Sequence, residues 1–148
     1  MRVVRTVLVV MSWLAVVLVA GCETTHTRTA RAADKLERRI DAFAAGACDQ
    51  SSAACSSRQQ FADQVQAFRE TCANGADQEV VFAFQRLWRS YHALRDEVYR
   101  LRDRQLQVDF KSVTQAFVDV QRNVKNGYSY ADPTVYASGG YVLDPYYN

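Results

Sequence analysis

The sequence predicts an all-α fold: a small antiparallel bundle of about four helices, placed after an N-terminal signal helix. Three observations predict it. Apolar residues recur at three- and four-residue spacing through most of the chain, the period of a helix that buries one face. The same stretch shows no alternating strand pattern and no glycine-rich phosphate loop. And 148 residues, 49% of them hydrophobic, make one domain with enough apolar chain to fill a core.

The first segment reads as an address. Met1-Arg2-Val3-Val4-Arg5 is a short positive start, and Val7 to Ala20 is an apolar run broken only by Ser12. A positive start, an apolar stretch and a small-residue exit make a secretory signal. The run also approaches spanning length, so a lone transmembrane anchor competes with that reading. The exit decides: Leu18-Val19-Ala20-Gly21-Cys22 places small residues directly before a cysteine. This resembles the lipobox of bacterial lipoproteins. The resemblance implies cleavage before Cys22, a diacylglyceryl group on its thiol, and residues 1–21 as signal peptide. It further implies a membrane anchor on the periplasmic side. Glu23 is not the Asp that resembles an inner-membrane retention signal, so the outer membrane is favoured over the inner.

Residues 22–29 are polar, β-branched and without apolar period, and read as a tether. His26 lies in it. Residues 30–126 read as the helical domain. In residues 30–45, Leu36, Ile40 and Phe43 form one stripe, and Gly46 is the expected stop. Residues 47–57 are small, polar and cysteine-bearing, hence a loop, with Ser56 or Ser57 as the cap of the next helix. Residues 58–73 carry Phe61, Val65, Phe68 and Cys72 on one face, and Asn74-Gly75 ends them.

Residues 76–126 contain neither Gly nor Pro. Val80, Phe84, Leu87, Tyr91, Leu94, Val98 and Leu101 form one stripe; Leu106, Phe110, Val113, Phe117, Val120 and Val124 form a second, offset by one residue. A one-residue slip rotates the apolar face by about 100°. Either the chain breaks near residues 103–109, with Asp109 as a cap, to give helices 77–103 and 107–125, or it continues as one long coiled-coil-like helix beside a helical hairpin. A compact bundle buries all four stripes together and is the expectation.

In an oxidising compartment a disulfide is expected. Cys48 and Cys55 share a loop, whereas Cys72 lies far along its helix, so the predicted bridge is Cys48–Cys55 with Cys72 a core thiol. A bridge from the loop to Cys72 is the alternative. The spacings are too wide for an ordinary zinc site with His92, and no C-x-x-C is present, so neither a metal nor any other cofactor is expected. His92 sits beside its stripe, and Asp96, Glu97, Arg100, Asp103 and Arg104 read as ion pairs on a solvated helix face.

Of eighteen bases, Arg2 and Arg5 lie in the signal, which leaves sixteen against sixteen acids. A balanced surface gives no electrostatic pull on nucleic acid, and no nucleophile–base pair can be assembled, so an enzyme is not expected.

Residues 127–148 form an irregular tail that holds six of the eight tyrosines: Tyr128, Tyr130, Tyr136, Tyr141, Tyr146 and Tyr147. Tyrosine offers apolar area with a polar handle, so these are the candidate contacts for a protein or glycan partner in the envelope. The expectation is a non-catalytic interaction or scaffold module held at the membrane. A periplasmic ligand-binding or stress-sensing module is the alternative.

Overall fold

The computed structural model describes residues 24–128, and these form four antiparallel helices. They are α1 (Thr25–Gln50), α2 (Ser52–Asn74), α3 (Asp77–Arg100) and α4 (Arg104–Gly127). There are no strands among the described residues. The compact bundle is therefore the fold, and the single long helix over residues 76–126 is not formed.

The predicted apolar stripes are the core. Leu36, Ile40, Phe61, Val65, Phe68, Phe84, Leu87, Leu94 and Val113 are fully buried. Across the middle an aromatic ladder joins α3 to α4. The Tyr91 ring lies 4.0 Å from that of Phe117 with only 4° between their planes, and it also stacks on Phe110 at 5.8 Å. Phe84 stacks on Phe117 at 5.9 Å. These rings hold α3 and α4 further apart than the other neighbours, which pack closely as α1 on α2, α1 on α4 and α2 on α3. The Tyr91 hydroxyl donates to Thr114 Oγ1 at 3.0 Å, and the Thr114 hydroxyl in turn donates to the Phe110 carbonyl. The one polar tip in the ladder is thus satisfied without water.

Cross-helix ion pairs record the register. Arg69 meets Asp34 and Glu37, and Arg58 meets Asp41, so numbers fall on one helix as they rise on the other. Lys35 reaches Asp119 across α1 and α4 at 2.8 Å. These pairs are largely exposed and add little stability each; they mark the antiparallel alignment more than they cause it.

Several boundaries differ from those expected, each for a local physical reason. The tether does not extend to residue 29: α1 starts at Thr25, because the Thr24 hydroxyl accepts from the Thr27 N–H at 3.2 Å and caps it. Gly46 does not stop α1. It lies within the helix, where a Cβ would meet Leu106 Cδ1 at an ordinary 3.5 Å, so the position is not reserved for a turn. The expected loop over residues 47–57 is one residue, Ser51. It is the C-cap of α1 and the N-cap of α2, its hydroxyl accepting from the Ala53 and Ala54 N–H groups, so neither Ser56 nor Ser57 is the cap.

The break in the last half falls at residues 101–103. Asp103, not Asp109, caps α4, accepting from the Leu106 N–H at 2.7 Å. Asp109 is inside α4, where it accepts from Gln105 at 2.9 Å. Arg102 takes a left-handed backbone with φ of 55°, the one positive-φ residue other than glycine among the described residues.

Candidate functional site

One end of the bundle gathers side chains from three helices and from Tyr128, the C-cap of α4. The end consists of the start of α1, the α2–α3 connection and the end of α4. The α2–α3 connection is short: the Gly75 N–H closes onto the Thr71 carbonyl at 2.7 Å, and Glu79 reaches back to accept from the Ala76 N–H at 2.9 Å. That places Asp77 on the rim, beside the first turn of α1. The His26 ring bridges the two: Nδ1 lies 2.9 Å from the Cys72 carbonyl and Nε2 2.9 Å from Asp77 Oδ1. Both partners are acceptors, so a ring carrying both protons serves both and a neutral ring serves one. The edge of Tyr128 closes on the ring at 5.3 Å.

Cys72 and Tyr128 lie beneath this bridge. Cys72 is a free cysteine with no exposed surface, and burial pushes its thiol up to about 12. Burial likewise pushes the Tyr128 hydroxyl up to about 12, against a hydrogen bond with Thr29 that lowers it. Histidine, aspartate and cysteine are the residue types of a cysteine nucleophile, but the arrangement does not activate one. The ring faces the cysteine's carbonyl, and burial holds the thiol protonated, opposite to what a nucleophile requires. What this cluster does is fasten α1 to the α2–α3 turn. The sequence places His26 in the polar tether; its partners, 46 and 51 positions away, leave no local signal.

The first turn of α1 and the last turn of α4 also touch here. A Cβ on Gly127 would stand 1.9 Å from Thr25 Cγ2, so a residue without a side chain lets α4 pass against the first turn of α1.

Cys48 and Cys55 are joined at the opposite end, with S–S 2.04 Å, across the Ser51 connection. Among the described residues no three His, Cys, Asp or Glu side chains converge as metal ligands would. His92 packs its ring 4.0 Å from that of Trp88 on α3. Glu97 and Arg100 pair on the solvated face. The sequence groups Tyr128 with the tail as a partner contact, but it is 2% exposed and belongs to the core: the last turn of α4 turns it inward over Cys72 and Thr29. Cys22 and the remaining tail tyrosines, Tyr130, Tyr136, Tyr141, Tyr146 and Tyr147, lie outside the described residues.

An open groove of about 580 Å³ runs between α2 and α3, with Phe82 and Arg86 on one wall and Glu70 and Asn74 on the other. No helix of the described residues is long and apolar enough to cross a membrane. Compared with family models, with curated proteins and with solved structures, the chain matches none.

Proposed function

We propose that this chain is a lipid-anchored envelope lipoprotein, held by acyl chains on Cys22 and acting by contact with other envelope components rather than by catalysis. The observation that carries the reading is Val19-Ala20-Gly21-Cys22 at the end of an apolar, positively prefaced run. Acyl chains each gain about 0.8 kcal/mol per buried CH₂, so two or three of them hold a protein on a bilayer stably. The way the described core is filled supports a contact role over a ligand held inside the bundle. Its central layer is occupied by the stacked rings of Tyr91, Phe110, Phe117 and Phe84. The outer membrane is the favoured location, because Glu23 and not Asp follows the cysteine. The five tyrosines of residues 129–148 are the proposed contacts for an envelope protein or glycan.

The test is the mass of the mature N-terminus. Protein extracted from membranes should begin at Cys22 and carry acyl mass, and Cys22→Ser should accumulate as an uncut, lipid-free precursor. A wild-type chain cleaved at another residue and unacylated would overturn the reading. Cross-linking in intact cells followed by extraction then identifies the partner.

A further inference from the structure

We propose that the bundle stands end-on against the bilayer, with the His26–Asp77–Tyr128 end seated on the lipid headgroups and the disulfide end directed away. This deepens the lipoprotein reading and rests on it. The decisive observation is the position of the first helical residue. Thr24 already caps α1, so only Glu23 separates a lipidated Cys22 from the folded bundle, a span of at most about 7 Å from Cys22 to Thr24. An ordinary long tether would let a domain tumble well above the membrane; a link this short keeps the first turn of α1 within a few ångströms of Cys22.

Two further features of the same end fit a headgroup layer. Its exposed side chains are polar and balanced in charge: Arg28 and Lys125 oppose Asp77 and Glu79, so it is neither repelled from nor pulled into anionic lipid. Of the exposed large apolar side chains, Phe82 lies about 8 Å along α3 from Asp77, a depth comparable to the headgroup region. Tyr99 and Val108 belong to the opposite end. Apart from Phe82 this end exposes no large apolar side chain among the described residues, so the acyl chains supply the affinity and the bundle end supplies orientation.

End-on seating sets a height. α1 is 26 residues long, so the protein layer should measure about 39 Å. A bundle lying on its side should measure about 20–25 Å, two helix diameters. Neutron reflectometry of the full acylated chain on a supported phosphatidylcholine–phosphatidylglycerol bilayer reads this directly. The expected result is the taller layer in direct contact with the headgroups. The thinner layer, or a hydrated gap beneath the protein, overturns the proposal.

Photo-cross-linking residues at Asn126 and at Arg102, both exposed, give a second readout. Lipid adducts should form at Asn126 and be lost at Arg102; equal adducts at both positions would also overturn it. A flexible Gly/Ser insertion between Glu23 and Thr24 should erase the difference while the fold is kept. Mass spectrometry of the same sample separates the two levels. An unacylated Cys22 defeats the anchor itself, whereas an acylated chain with the wrong height defeats only the orientation.

Discussion

The two ends of the bundle are closed by different means. At the disulfide end the fastenings are local: Cys48 and Cys55 are seven residues apart, Ser51 caps the helices on both sides of itself, and Asp103 caps the helix that follows it. At the other end they are long-range. His26 reaches Cys72 and Asp77, Tyr128 covers Cys72, and Gly127 admits Thr25. The first kind of closure forms as soon as neighbouring helices do. The second exists only when all four helices have met, so its integrity reports the finished fold.

The largest test of that contrast is Tyr128→Ala. It removes a fully enclosed aromatic side chain and should cost about 3–5 kcal/mol, measured by urea unfolding. Deleting residues 128–148 should cost at least as much, because it takes Tyr128 with it. Alkali should find the same end. The folded chain keeps protons on Cys72 and Tyr128 to about pH 12, whereas the unfolded chain releases them from ordinary values of 9.0 and 10.0. The unfolded state then binds fewer protons, so stability falls as pH rises from about 9 to about 12. Unfolding curves across that range should show a shallower fall in Cys72→Ala; an unchanged slope would exclude the thiol as its source.

At the local end the effects are smaller. Replacing Cys48 and Cys55 together with Ser reopens a loop of separation seven and should lose about 2–3 kcal/mol. Non-reducing peptide mapping should recover the Cys48–Cys55 link, with Cys72 alkylated only after unfolding. Asp103→Ala removes a cap and should cost about 1 kcal/mol in thermal unfolding. The smallest effect has the opposite sign. Arg102→Gly relieves a left-handed backbone at a chain turn and should gain about 0.5–1 kcal/mol in urea unfolding.

How much the sequence revealed follows the same division. The stripes of α2, α3 and α4 and the one-residue offset between the last two were legible, because helical burial imprints a period on the chain. The position of the second break was not. Both Asp103 and Asp109 are capping types, and the choice depended on Arg102 adopting a left-handed turn that composition does not announce. The first turn of α1 was illegible for a stronger reason. Thr24 to Thr29 carries no apolar period, and it is held by a threonine cap and by partners far along the chain. The burial of Tyr128 was hidden by its neighbours: five more tyrosines and several helix breakers follow it, and composition cannot say that α4 ends one residue beyond the obvious tail boundary.

The contact between Thr25 and Gly127 makes the fold a ring in all but covalent bonding. Its helices can therefore be read from a different starting point without losing a neighbour. A circular permutant that joins Tyr128 to Thr24 through a few residues and opens between Arg102 and Asp103 keeps the disulfide, the aromatic ladder and the His26 bridge. Its new beginning lies at the far tip. Whatever is fused to that new beginning then meets the disulfide end of the bundle, where in the natural chain order it would meet the His26 end.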